Sequence, residues 1–374
     1  MAEEAGFGLY VHWPYCQAKC PYCDFNSHVS RSIDQEKWAQ AYEREIGRLG
    51  RETGGRRLRS IFFGGGTPSL MEGEVVDRVI AAARAAWRFD NDIEITLEAN
   101  PTSVEAGRFD AYRRAGVNRV SIGFQSLRGD DLKRLGRLHD VSESLDALSE
   151  ARRRFGRVSF DLIYGRQDQA AGDWAAELEE ALALGPDHLS LYMLTIESGT
   201  AFGDRFAAGR LRGLPDEDRS VALWEVTQEM TAAAGLPGYE VSNHARPGSE
   251  SRHNLIYWRG GDYAGVGPGA HGRLTLEGVR HATEAPKAPL PWLEAVLDGR
   301  DVETRDVLSD REVRDERIMM GLRLREGVPE EHFAGIETGP MEALGLVERL
   351  EERVRLTEAG RPLLNAVLRE LLAA

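Results

Sequence analysis

The chain has 374 residues, of which 42% are hydrophobic and 8% aromatic, enough apolar material for one large domain and a smaller one. Its formal net charge is −14, and an acidic protein repels phosphate backbones, so we expect no nucleic-acid partner. The sequence has no run of roughly 18 to 20 apolar residues and no secretory-signal pattern at its acidic N-terminus, so we expect a cytoplasmic protein without a membrane span.

Six apolar, β-rich runs alternate with helix-like segments along the first half of the chain. The predicted strands are residues 7–13, 59–65, 92–98, 119–125, 157–165 and 188–194, and the predicted helices between them include residues 35–49, 74–87, 104–115 and 173–184. This alternation predicts an α/β fold with a parallel sheet. Six units are too few for a complete eight-unit barrel, so we predict a partial (β/α)6 barrel, although an open doubly wound sheet has the same periodicity.

The polar and glycine-rich segments favour the barrel, because each lies at the end of a predicted strand. The cysteines follow the first strand, "GGGTPS" the second, "EANP" the third and "FQS" the fourth, while "DLIYG" closes the fifth. In β/α barrels the active site is built at the carboxyl ends of the strands. The pattern therefore predicts one site assembled from these segments.

The rhythm changes after residue 236. We divide the chain into a barrel (1–235), an extension that contains "HNLIYW" and a proline-rich connection (236–300), and a small helical, winged-helix-like domain (301–374). Winged-helix domains often bind DNA. Here the acidic balance and the lack of a basic recognition helix favour a structural role.

All three cysteines of the chain, Cys16, Cys20 and Cys23, lie in one C-x3-C-x2-C window. One interpretation is a structural zinc site with His12 or His28 as the fourth ligand, but the spacing is not that of a zinc finger. The other is a [4Fe–4S] cluster, which ordinarily takes four cysteines. With three, one iron stays open to a small chelating molecule.

This window, with an aromatic residue before its last cysteine, resembles that of the radical SAM enzymes. The motifs "FFGGGTPSL", "TLEANP", "SIGFQS", "GRLHD", "DLIYG", "HLSLYMLTIESGT", "YEVSN", "HNLIYW" and "YAGVGPGAHG" are similar to those of the oxygen-independent coproporphyrinogen oxidases, HemN, and their relative HemW. The resemblance covers roughly residues 7–280. It implies a [4Fe–4S] cluster that binds S-adenosylmethionine (SAM) at its open iron.

The resemblance also implies which residues bind each group. The cluster ligands would be Cys16, Cys20 and Cys23. One SAM would contact Tyr10, Gly65, Gly66, Thr67 and Glu98, and a second would contact Tyr22, Gln125, Arg137 and Asp161. These residue types suit the task, because glycines let a backbone approach a ligand closely and an arginine pairs with a carboxylate.

Two positions depart from the HemN pattern. Phe25 stands where HemN has a fourth cysteine, which is the HemW arrangement, and Gln167 stands where a proline is expected after the fifth strand. The resemblance thus implies a haem chaperone, with haem as cargo, haem-accepting proteins as partners (acceptors at a membrane included) and a reductant for the cluster. The alternatives are an oxygen-independent coproporphyrinogen III oxidase of porphyrin biosynthesis, a related methyltransferase or cyclase, and a zinc protein.

The haem ligand predicted from the sequence is His253 of "HNLIYW", because histidine is a common axial ligand of haem iron and aromatic residues follow it. The alternative is that His253 only satisfies backbone groups in a turn, with His244 or His271 as other candidates. We assign no catalytic residue and leave enzymatic turnover open.

Overall fold

The computed structural model describes residues 5–30, 32–102 and 107–373. Its strands, in chain order, are β1 (Phe7–Trp13), β2 (Tyr15–Cys16), β3 (His28–Val29), β4 (Arg57–Gly65), β5 (Arg88–Ala99), β6 (Arg119–Gln125), β7 (Arg157–Tyr164), β8 (His188–Met193), β9 (Asn243–Ala245), β10 (Asp262–Val266), β11 (His271–Leu276), β12 (Val279–Glu284), β13 (Thr304–Val307), β14 (Val328–Pro329), β15 (Val347–Leu350) and β16 (Arg353–Leu356).

The helices lie between these strands. They are α1 (Gln35–Glu52), α2 (Gly73–Ala86), α3 (Phe109–Ala115), α4 (Gly129–Arg134), α5 (Val141–Arg154), α6 (Ala171–Ala183), α7 (Ala201–Ala207), α8 (Glu217–Ala233), α9 (Arg252–Trp258), α10 (Pro289–Leu297), α11 (Asp310–Gly321), α12 (Gly339–Ala343) and α13 (Leu364–Leu372). Short 3-10 helices span Pro68–Leu70, Glu330–Phe333 and Arg361–Leu363. The predicted helix over residues 104–115 is described from Phe109 onward, and its start lies outside the described residues.

Eleven strands form the main sheet, in the order β13-β12-β11-β10-β1-β4-β5-β6-β7-β8-β9. The run from β10 to β8 is parallel throughout, and antiparallel strands flank it on both sides. All six predicted strands occur, and they lie side by side in chain order as β1, β4, β5, β6, β7 and β8. The sheet remains open between β9 and β13, which agrees with a partial barrel.

The parallel strands are buried on both faces. A layer of helices covers one face, and the other face lines the filled interior of the barrel. In β1, Leu9, Val11 and Trp13 have no solvent exposure. Asp34 caps the start of helix α1, because its side chain accepts from the backbone N–H of Lys37, and the helix buries one apolar face. Helix α1 contacts α2, α2 contacts α3, and α3 contacts α5, so these helices form one layer outside the sheet. This arrangement favours the barrel over the doubly wound alternative.

The segment after residue 236 continues the main sheet. Strand β10 inserts beside β1 in parallel, pairing Tyr10 with Gly265. Residues of "HNLIYW" lie in helix α9, which Ser251 caps by accepting from the backbone N–H of Asn254. The alternative interpretation placed this motif in a turn, whereas the structure places it in a helix. Strand β13 also belongs to the main sheet, although it lies within the segment predicted as the C-terminal domain.

The C-terminal domain has its own core, which includes Ile318, Phe333, Val354 and Val367. Helices α11 and α13 contact each other beside the antiparallel sheet β14-β16-β15, which agrees with a small domain of winged-helix type. Within the described residues, no helix is both long enough and apolar enough to cross a bilayer.

Candidate functional site

The carboxyl ends of the parallel strands enclose a cavity of about 430 Å³. It contains all three cysteines and eight of the nine residues predicted to contact SAM: Tyr22, Gly65, Gly66, Thr67, Glu98, Gln125, Arg137 and Asp161. The ninth, Tyr10, lines an adjacent cavity. The strand-end segments therefore converge on one place, as their positions in the sequence predicted.

The three cysteines lie on a loop that leaves β1 and is held by the short β2–β3 pair. Cys16 is paired with Val29 across these strands, and the backbone N–H of Cys23 donates to the carbonyl of Cys20 (3.2 Å). All three thiols are free and half-buried. Burial raises the pKa values of the Cys16 and Cys23 thiols, so in the protein without metal both favour the protonated form.

A chain of hydrogen bonds joins two of the cysteines. The hydroxyl of Thr67 donates to Cys16 Sγ (3.3 Å), and Asn100 Nδ2 donates to Thr67 Oγ1 (3.2 Å). Arg137 Nη2 donates to Asn100 Oδ1 (2.5 Å), and Nη1 lies 3.5 Å from Cys20 Sγ. Asn100 was not predicted as a site residue, although its position in "EANP", directly after β5, indicated that it lies at the site.

The residues fit a [4Fe–4S] cluster. Arg137 Nε is buried without a hydrogen-bond partner among the described residues, so this cation has donor capacity left inside the cavity. The described His, Cys, Asp and Glu side chains form no group of three that could hold a single metal ion. A cubane does not need such a group, because each of its cysteines binds a different iron.

Glycines let the end of β4 approach the cysteine loop. The backbone N–H of Gly66 donates to the carbonyl of Trp13 (2.6 Å), and that of Thr67 donates to the carbonyl of Tyr15 (2.8 Å). A Cβ at position 66 would lie 2.6 Å from the Tyr15 oxygen, and Gly65 has a φ of +110°. The two glycines therefore fix the position of the loop that carries Cys16, in addition to any contact with a ligand.

Two carboxyl groups face the cavity. Burial, reinforced by Asp161 nearby, raises the pKa of Glu98 to about 8. Burial also raises the pKa of Asp161 to about 6, although Arg137 and hydrogen bonds from Gln125 oppose the shift. The backbone N–H and Nε2 of Gln125 donate to the two oxygens of Asp161 (3.2 and 2.9 Å), and Gln125 has a φ of +67°. A left-handed backbone at a residue other than glycine is typical of functional sites.

Glu98→Gln is expected to flatten the pH dependence of stability in the iron-free protein. Because the pKa of Glu98 is raised from 4.5 to about 8 on folding, wild type loses stability as the pH rises between these values. Glutamine does not ionise, so the melting temperature of the variant should increase relative to that of wild type as the pH rises across this range. Thermal unfolding at several pH values measures this. Glu72→Gln on the exposed surface is the control, and parallel profiles for Glu98→Gln and wild type would contradict the assignment.

Tyr10 and His12 form the floor of the adjacent cavity. The Tyr10 hydroxyl lies 3.0 Å from His12 Nδ1, and His12 Nε2 lies 2.9 Å from the carbonyl of Asn26. Both ring nitrogens of His12 are therefore occupied in the buried interior. His28 is exposed and lies 3.1 Å from Asn26 Oδ1. Neither histidine joins the cysteines as the zinc interpretation requires.

The histidine of "HNLIYW" is buried and fully hydrogen-bonded. His253 is 1% exposed, with Nδ1 2.8 Å from Ser60 Oγ and Nε2 2.7 Å from the Tyr257 hydroxyl. Burial lowers its pKa to about 3, so the ring is neutral. Ligation of haem by His253 would require one of these bonds to break and the ring to become accessible. His244 is also fully buried.

The departure at Gln167 leaves the fifth strand end intact. Gln167 Nε2 donates to the carbonyl of Arg212 (2.6 Å), which ties the turn after β7 to the segment before α8. Asp161 keeps its place in the cavity. The side-chain amide thus supplies a contact in the turn where a proline was expected.

Comparison with known proteins shows what the chain is similar to. A profile of the Radical SAM superfamily matches residues 10–180, and one of the HemN C-terminal domain matches residues 308–363. The chain is 42% identical to the mitochondrial radical S-adenosyl methionine domain-containing protein 1 of Bos taurus, over 88% of this chain and 76% of that one. It is 38% identical to the heme chaperone HemW of Escherichia coli, over 100% of both chains.

A solved structure establishes the fold. Coproporphyrinogen III oxidase HemN from Escherichia coli, a radical SAM enzyme, matches with a TM-score of 0.80. The match covers 98% of this chain and 90% of that one at 24% identity. The predicted partial barrel with a C-terminal domain is confirmed.

Proposed function

The chain belongs to the HemW family of radical SAM proteins, and from this membership we propose that it is a haem chaperone, which binds haem and delivers it to acceptor proteins. The observation that carries the proposal is the 38% identity to a heme chaperone over the full length of both chains. The site supports it, because three free thiols face a cavity lined by the other residues of the family pattern.

The cofactors proposed are those that the superfamily implies. Cys16, Cys20 and Cys23 would hold a [4Fe–4S] cluster, and the strand-end residues beside them would hold SAM. When bound, this pair supplies one-electron chemistry. The protein's own residues orient the cysteine ligands. Thr67 donates toward the sulfur of Cys16 and Arg137 toward that of Cys20, which stabilises negative charge on both sulfurs.

Phe25 separates this proposal from the oxidase alternative. Its side chain is 57% exposed and lines both cavities, at the position where HemN has a fourth cysteine. A phenyl ring can neither ligate iron nor transfer a proton or electron. It does provide an exposed apolar surface, which suits the binding of a flat macrocycle.

We expect the protein to bind hemin and to convert little or no coproporphyrinogen III. Protein purified without oxygen would be titrated with hemin by visible spectroscopy, and the same sample assayed for protoporphyrinogen IX. A strain that lacks the oxygen-independent oxidase provides the control, since the protein should not restore its growth. Full rescue of that strain, or turnover without hemin binding, would overturn the chaperone proposal in favour of the oxidase.

The remaining expectations belong to this proposal. The partners are haem-accepting proteins and a reductant for the cluster, and the compartment is one that keeps the thiols reduced, the cytoplasm. His253 remains the haem ligand predicted from the sequence. Its ring is buried and makes two hydrogen bonds, which is a reason to look for a more accessible histidine as the haem ligand.

A further inference from the structure

A second cavity of about 650 Å³ lies beside the first and shares five lining residues with it: Asp24, Phe25, Ser27, Gly65 and Glu98. It is within the range of roughly 300–1,000 Å³ found for small-molecule sites. The cysteine loop forms part of its wall, and the segments around Gly269 and Lys287 form another part. Asn26 joins these walls, because its Nδ2 donates to the carbonyls of Pro268 (2.8 Å) and Lys287 (2.9 Å).

An accessible imidazole faces this cavity. Five of the nine histidines are buried: His12, His139, His188, His244 and His253. Of the others, His28 and His271 line the second cavity, whereas His281 and His332 do not. The side chain of His271 is 56% exposed, and its Nε2 lies 3.8 Å from Glu284 Oε1, too far for a hydrogen bond. Because this contact is not a hydrogen bond, Glu284 leaves both ring nitrogens of His271 open to a metal.

Two lysines at the cavity supply positive charge. The sequence has four lysines, and two of them, Lys19 and Lys287, line this cavity and are exposed. Lys37 and Lys133 pair with Asp34 and Asp130 (both 3.1 Å). Within the described ranges, neither Lys19 nor Lys287 has an ion-pair partner. A macrocycle that carries carboxylates would find two free ammonium groups here.

One tyrosine of "HNLIYW" and one of strand β10 form an aromatic wall of the cavity. Tyr257 and Tyr263 both line the cavity, and their ring centroids are 4.1 Å apart. His253 holds Tyr257 through the 2.7 Å contact between Nε2 and the hydroxyl, and stacks on Phe62 with ring centroids 5.1 Å apart. The buried His253 thus holds Tyr257 in the wall of the cavity. This structural role does not require His253 to ligate iron.

We infer that this second cavity is the haem site, with His271 as the axial ligand. Lys19 and Lys287 pair with the propionates, Phe25 and the two tyrosines contact the ring, and His253 is a positioning residue for Tyr257. The inference rests on the proposed function, since it names where the cargo binds. The open cavity and the exposed imidazole of His271 suit a carrier, because the iron can exchange ligands with an acceptor while the macrocycle is still held.

Hemin titration of the full-length protein and matched variants tests the site. His271→Ala should weaken hemin binding by about tenfold or more and shift the Soret band, because the iron loses its protein ligand. His281→Ala, on the neighbouring strand β12 and outside the cavity, should match wild type. The double variant Lys19→Ala and Lys287→Ala should weaken binding and reduce its dependence on salt, whereas Lys37→Ala and Lys133→Ala together should not.

The possible results test the haem-site assignment and the proposed chaperone function separately. If wild type binds hemin and His271→Ala matches it in affinity and Soret band, the ligand assignment is overturned while the chaperone proposal stands. The same conclusion follows if only His28→Ala or His253→Ala removes the band. If wild type binds no hemin, the proposed function itself fails. Tyr257→Phe, which removes the bond to His253 but keeps the ring, should retain the Soret position of wild type and loosen the affinity.

Discussion

Cys20→Ala is expected to leave the protein with almost none of the about four irons per chain that a [4Fe–4S] cluster contains. The chain has three cysteines, so no other thiol can replace the lost ligand. The change also removes the sulfur that lies 3.5 Å from Arg137 Nη1, which leaves a buried guanidinium facing the emptied position. Iron and sulfide analysis after anaerobic reconstitution, with the visible spectrum, measures the effect. Cys16→Ala and Cys23→Ala should behave in the same way.

Ala18→Ser is the matched control for the cysteine variants. Ala18 lies on the same loop and lines the same cavity, but its side chain offers no ligand to iron. This variant should retain wild-type iron and sulfide, which separates loss of a ligand from disturbance of the loop. Stoichiometric zinc without iron in anaerobically prepared wild type would refute the cluster assignment.

Gly66→Ala is expected to abolish the response of the reduced cluster to SAM and also to lower the iron content. The new Cβ would lie 2.6 Å from the Tyr15 oxygen and 3.0 Å from the Trp13 oxygen, both backbone atoms that cannot swing away. The loop that carries Cys16 must shift, at a cost of roughly 1–3 kcal/mol. Electron paramagnetic resonance of the reduced protein with and without SAM, together with iron analysis, measures both effects.

Gly172→Ala makes the same chemical change without a steric conflict. Gly172 lies in helix α6, and a Cβ there meets nothing within 4 Å. Alanine also favours a helix more than glycine does, so this variant should fold at least as well as wild type. It should keep both the iron and the SAM-induced change in the spectrum. Wild-type behaviour of Gly66→Ala in both measurements would contradict the role assigned to the glycine segment.

The strands and the site segments were predictable from sequence because each carries a local signature. A buried parallel strand is a short, nearly continuous apolar run, and polar or glycine residues mark its carboxyl end. Thus β4 ends at Gly65 and β5 at Ala99, where the predicted site segments begin. The order of these segments along the chain then follows the order of strands in the sheet.

Contacts between distant parts of the chain could not be predicted in this way. Nothing local in "HNLIYW" shows that Ser60, on β4, meets His253 and occupies one of its ring nitrogens. The insertion of β10 beside β1, which brings His271 and Tyr263 to the cysteine loop, is likewise a long-range pairing. The sequence therefore indicated His253 as a candidate ligand, but the burial of its ring depends on tertiary packing.

Transfer of haem from the loaded protein to a haem-free acceptor tests the central claim most directly. Protein loaded with one hemin per chain would be mixed with apomyoglobin as the probe, and the Soret band followed over time. The account predicts that the spectrum of the loaded protein is replaced by that of the haem-bound acceptor, at a rate that depends on acceptor concentration. A protein that takes up no hemin, or that turns over coproporphyrinogen III in the same preparation, would contradict it.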